Sequence, residues 1–134
     1  LDVPAHAVAS PVTLRIGHLL PPALPLLHNS WFTSFFAVSV VEGGGQTIPN
    51  SFHFDLPAVL HISYLDEGMS ASDEEELGLF AFDTVTRVWN PAPCGEVHHD
   101  VVQNVFDAPI CQPAVYGVYV PAPPFTYLPW VAKP

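Results

Sequence analysis

Apolar residues in this chain recur at every second position, in short runs broken by proline and glycine, and nowhere at the spacing of an amphipathic helix. That pattern constrains the fold more than any other feature. Residues 11–17, PVTLRIG, alternate cleanly, with Val12, Leu14 and Ile16 on one face and Thr13 and Arg15 on the other. This is the pattern of a half-buried strand. Residues 31–41, WFTSFFAVSVV, are rich in aromatic and β-branched side chains and run into the glycine turn EGGGQ. Their more apolar face is Phe32, Phe36, Val38 and Val40. TIPNSFHF (47–54) and PAVLHISYL (57–65) predict two further strands, the second alternating Leu60, Ile62 and Tyr64 with His61 and Ser63. LGLFAFD, TRVWN, NVFDAPI and VYGVYV supply four more, with DTVT as a tight turn between the first two. The acidic break DEGMSASDEEE (66–76) has room for one helical turn.

About seven to eight short strands with regular turn signals predict an all-β, antiparallel β-sandwich of Ig-like type. Its expected core includes Phe36, Val38, Leu60, Ile62, Leu79, Trp89, Val105 and Val118. Three prolines in PPALPLLHN (21–29) forbid a helix there and favour an extended connection. The chain divides accordingly into an N-terminal extended strand and proline-rich connector (1–30), the sandwich (31–120) and a proline-rich tail (121–134). Residues 1–10 show little periodicity, and both flanks need something to tie them down.

The charges are few and lopsided. Only 12% of residues are charged, and 13 acids face three bases, for a formal charge of −10. Such a surface repels phosphate backbones and anionic lipid, which excludes nucleic acid as a partner. No apolar run is long enough to span a membrane as a helix. With Leu1 in place of an initiator Met and no signal peptide, the chain reads as a processed or excised segment of a precursor.

Both cysteines fall in CGEVHHDVVQNVFDAPIC (94–111). Structural zinc prefers ligands in close pairs, and adjacent His98 and His99 on an extended backbone would face opposite ways. A redox pair would want C-x-x-C or a basic neighbourhood, whereas Glu96 and Asp100 flank Cys94. A disulfide between Cys94 and Cys111 is the expectation, with two free buried thiols as the alternative. A disulfide implies an oxidising compartment, and hence a secreted or cell-surface protein.

No constellation with reactive spacing stands out. The seven histidines are scattered, and His53 and His61 fall at polar strand positions. The acidic run 66–76 lacks the D-x-[DN]-x-[DN]-G pattern of a calcium loop and reads as a solvated loop. G-x-S-x-G, H-E-x-x-H and P-loop motifs are absent. Neither a cofactor, a metal nor an enzymatic activity is expected. Trp31, Trp89, Tyr127 and Trp130 could stack on sugar rings, or cap a core.

The order from residue 31 to 120 is distinctive: an aromatic strand and glycine turn, FDLPAVLHISYLDEG, DEEELGLFAFD, TRVWNP, a Cys-bearing turn and YGVYV. It resembles the small β-sandwich modules, some likened to ZU5 domains, that end large secreted bacterial surface proteins. The resemblance implies an exported structural or adhesive module and transfers no catalytic residue.

Two functions follow as expectations. The first is a secreted structural subunit that assembles head to tail with copies of itself, into a filament or surface layer, by exchange of a terminal strand. Residues 11–17 would be the donor, with Val12, Leu14 and Ile16 filling pockets of an adjacent copy. The PPALPLL connector, at ~3.1 Å per residue, reaches roughly 20 Å, so the same strand could instead fold back on its own sandwich. The second is a monomeric adhesion or carbohydrate-binding module of a larger surface protein, with glycans as its partners.

Overall fold

In a computed structural model, described for residues 1–18, 31–41, 45, 47 and 52–120 (backbone alone for 31–34), the chain forms two antiparallel sheets. The strands are β1 (Thr13–His18), β2 (Trp31–Val41), β3 (Ala58–Ser63), β4 (Gly78–Asp83), β5 (Val88–Pro91), β6 (His98–Asp100), β7 (Val105–Ile110) and β8 (Ala114–Val120). One short helix, α1 (Ala71–Glu75), lies in the acidic break. Its N-cap is Ser70, whose hydroxyl accepts from the Asp73 N–H at 3.1 Å.

The five-stranded sheet has the order β1-β2-β8-β4-β5, and the three-stranded sheet the order β3-β7-β6. Between them lies one core, to which β2 gives Phe36 and Val38, β8 gives Tyr116 and Val118, and β4 gives Leu79. The facing sheet adds Leu60 and Ile62 from β3 and Phe106, Ala108 and Ile110 from β7. This is the layering of a β-sandwich. The proline-rich segments 19–30 and 121–134 lie outside the described residues, as does the side chain of Phe32.

Two core expectations need correction. Val105 is only half-buried, because the inward phase of β7 runs through Phe106, Ala108 and Ile110. With a strict period of two, residue 105 must face the other way. Trp89 is buried, but on the opposite side of the five-stranded sheet. There it joins Phe35, Phe82 and Tyr119 in a second cluster, with Phe80 and Val115 packed against it. Ring centroids in this cluster lie 5.6 Å apart for Phe35–Trp89, 5.2 Å for Phe82–Trp89 and 4.2 Å for Phe80–Tyr119. The central strands are therefore apolar on both faces, which accounts for the nearly continuous apolar runs WFTSFFAVSVV and VYGVYV. Gly117 makes room for the outer rings: a Cβ there would lie 3.0 Å from the Phe35 ring and 3.2 Å from the Trp89 ring.

The strand expected over 47–54 is not formed by its described residues. Thr47 makes an isolated bridge to Val41, and residues 52–54 are irregular, although Phe54 is buried. The tight turn at DTVT is present, and it has a twin. Asp83 Oδ1 accepts from the Val85 and Thr86 N–H groups at 2.8 and 3.2 Å, and Arg87 then takes a positive φ of 57°. Asp100 Oδ1 accepts from Val102 and Gln103 at 2.9 and 3.0 Å, and Asn104 takes a φ of 56°. The hairpins β4–β5 and β6–β7 are thus closed by the same device, an aspartate that caps the turn and a left-handed residue four positions on. DVVQN carries the same signal as DTVTR, and β6 could have been found from it.

The segment before β1 also belongs to this body. Ala7 is fully buried, Leu1 and Val8 pack on the core, and Asp2 bridges Val59 of β3.

Candidate functional site

β1 is an edge strand held by main-chain pairing. Its register on β2 runs from Thr13 opposite Val41 to His18 opposite Phe36. Leu14 and Ile16 lie across from Val40 and Val38, on the face of β2 that looks into the sandwich. Three strands cannot cover five, however, so the edge overhangs. Leu14 is the only β1 residue that is not exposed, Val12 just before the strand is half-buried, and Ile16 is 52% exposed. Within this single chain β1 pairs with its own β2, so the fold-back arrangement is the one observed. The expected insertion of Val12, Leu14 and Ile16 into an adjacent copy involves a second chain and stays a proposal.

Cys94 and Cys111 form a disulfide, with their Cα atoms 6.1 Å apart. Cys94 lies in the connection from β5 to β6 and Cys111 just after β7, so the bond ties that connection to the end of β7. Main-chain bonds secure both ends: Cys94 N–H donates to the Pro109 carbonyl at 3.0 Å, and Phe54 N–H donates to the Cys111 carbonyl at 2.8 Å. Beside the disulfide opens a concavity of about 630 Å³, lined in part by Ser39, His53, Asp83, Asn90 and Gln112. Its carboxylate, Asp83, is already committed to capping the β4–β5 turn, and those N–H bonds hold its pKa below the ordinary value of 3.8. Tyr116, at the same concavity, donates its hydroxyl hydrogen to the Gln112 carbonyl.

His98 and His99 occupy adjacent positions of β6 and so point to opposite faces. His99 turns inward, between the rings of Tyr64 and Phe106. The Tyr64 hydroxyl donates to Glu74 Oε1 at 2.7 Å and lies 2.7 Å from His99 Nε2. Having spent its one hydrogen on Glu74, the phenol must accept from the His99 Nε2–H. Burial and the glutamate push the Tyr64 phenol well above its ordinary pKa of 10.0. The group fastens α1 to the small sheet.

On the outer face of that sheet, His61 sits between two carboxylates. Its Nδ1 is 2.8 Å from Asp107 Oδ1 on β7, and its Nε2 is 2.8 Å from Asp2 Oδ2. Bonds to Asp2 and then Asp107 raise its pKa above the ordinary 6.5. Sequence reading placed His61 correctly at a surface position but missed this pairing. Asp107 comes opposite His61 only through the β3–β7 register, and Asp2 lies in a stretch without periodicity.

Among the described residues, no three or more His, Cys, Asp or Glu side chains gather as a metal site, and no helix is long and apolar enough to cross a membrane. Trp89, one of the aromatics considered for stacking on sugars, is 6% exposed and occupied by its neighbours. Trp31's side chain, Tyr127 and Trp130 lie outside the described residues. No family model, curated protein or solved structure matches this chain.

Proposed function

We propose that this chain is a secreted structural subunit, a β-sandwich of the Ig-like or ZU5-like kind found at bacterial surfaces, that assembles with copies of itself by exchange of β1. The observation that carries this reading is how β1 is attached. It lies at the sheet edge, pairs over its six residues through main-chain bonds, and has one half-buried anchor, Leu14. Those bonds do not depend on which copy supplies the strand, so exchange preserves them, and swapping an identical element is a low-cost route between protomers. The disulfide supports the placement outside the reducing cytosol, because such bonds form and persist in oxidising compartments.

The test is the molar mass of the protein in solution as its concentration rises, by light scattering after size exclusion, with negative-stain images of the largest species. Oligomers that vanish when residues 1–20 are deleted support the proposal. A protein that stays monomeric throughout overturns it and favours the adhesion-module reading, which a glycan array would then probe.

A further inference from the structure

The small sheet has an incompletely closed edge. β3 is its outer strand, and Val59 exchanges both main-chain bonds with Asp2, each 2.8 Å long. By the alternation of an antiparallel ladder, His61 and Ser63 direct their N–H and C=O groups to the same side as Val59. No described residue bonds to them there. One residue of the N-terminal segment therefore closes one rung of an edge whose next two rungs take no main-chain bond from any described residue. A bare edge of this kind accepts another strand readily.

That rung is held by Leu1, which packs on the core, and by a row of charges across the sheet. Asp2 and Asp107 grip the two ring nitrogens of His61, and His98 of β6 stands directly across β7 from Asp107. Among the described residues, Asp2 and Asp107 are the charged groups that act on the histidine, and His98 is the next titratable side chain along that row. Farther along, the segment is anchored by Ala7, which is fully buried and whose carbonyl accepts from Asp55 N–H at 2.8 Å. Its Asp2 end can thus lift without the Ala7 end letting go.

We infer that residues 1–8 are a proton-gated strap over the β3 edge, closed while His61 carries its charge and released at its Asp2 end when it loses it. A protonated imidazole has two N–H donors and can satisfy both carboxylates, whereas a neutral ring has one donor and must leave one carboxylate facing a lone pair. Asp2 is the partner that lets go, since it is 80% exposed and on a terminal segment, while Asp107 is 27% exposed and fixed in β7. Release extends the open edge from His61 and Ser63 to Val59, so the number of rungs offered to an incoming strand depends on pH. The inference stands whether or not copies exchange β1.

The experiment is amide hydrogen exchange of the full chain from about pH 5.5 to about pH 8.5, normalised for intrinsic chemical rates, with the His61 ring titrated in the same samples by NMR. Protection at Val59 should fall as His61 deprotonates, by about tenfold for each pH unit by which strap closure raises the histidine pKa. Leu60 and Ile62, which bond to β7, should keep their protection. His61→Gln should give a low, flat profile at Val59, and His98→Gln should leave the wild-type profile in place. The inference is overturned if Val59 protection is constant through the titration, or falls together with Leu60 and Ile62. It is equally overturned if the fall survives His61→Gln or disappears with His98→Gln.

Discussion

At the scale of single residues, space and protons decide most. Gly117 lies beneath two rings that are themselves almost fully enclosed, Phe35 at 3% and Trp89 at 6% exposure. A methyl group 3.0 and 3.2 Å from their carbons would have to displace them, and neither has open solvent to move into. Gly117→Ala should therefore cost about 1–3 kcal/mol, as overpacking does, measured by chemical denaturation. An unchanged midpoint would mean that the outer cluster yields freely. The protons work in opposite directions at two sites. His61 has a folded pKa above 6.5, so its contribution is complete below that pH and fades as pH rises through the raised value. Asp83 has a folded pKa below 3.8, so its contribution is complete above that pH and fades as pH falls through the lowered value. The melting temperature should then decline on both sides of this window. His61→Gln should flatten the alkaline limb alone, and Asp83→Asn the acid limb alone.

At the scale of elements, the disulfide and the hairpins show what local chemistry can specify. Cys94 and Cys111 enclose β6 and β7 in one loop. Replacing both with Ser should lower stability by up to ~3 kcal/mol in the chain-entropy picture, checked by denaturation of the two forms side by side. Labelling of both cysteines in the unfolded, unreduced protein would mean the bond is not there to be lost. Period-two alternation made β1 and β3 legible, short aromatic and β-branched runs made β2, β4 and β8 so, and the acidic break left room for α1, because each of these signals is local. What escaped was set by partners distant in sequence. Trp89 alternates as a core residue should, but whether its side faces the other sheet or the outer cluster depends on which sheet β5 joins. Val105 and Phe106 are both apolar, and only the pairing of Ile62 with Phe106 settles which of them faces in. His61 shows a surface position in sequence, while its two carboxylates come from 59 and 46 residues away.

At the scale of the whole molecule, the question is whether the β1 on a given β2 belongs to the same chain, and the register supplies a direct test. Arg15 and Ser39 are Cα partners in the β1–β2 ladder. Directly opposed residues in an antiparallel pair lie about 4.5–5.5 Å apart, which is within the reach of a disulfide. Arg15 is exposed and Ser39 half-buried, so cysteine at either position should leave the core intact. Arg15→Cys and Ser39→Cys chains, refolded together in equal amounts and then oxidised, can bridge between those positions only if β1 of one copy lies on β2 of another. Peptide mapping would separate that bridge from the native Cys94–Cys111 pair, which both chains retain. Exchange predicts a covalent species joining one chain of each kind, and its yield should rise with protein concentration because association is second order. A strand that stays at home predicts no such species, together with ready closure inside the doubly substituted Arg15→Cys, Ser39→Cys chain. That second outcome would remove β1 as the assembling element. A single chain that closes internally at low concentration and bridges between copies at high concentration would show the two arrangements in equilibrium, with the same six-residue ladder serving both.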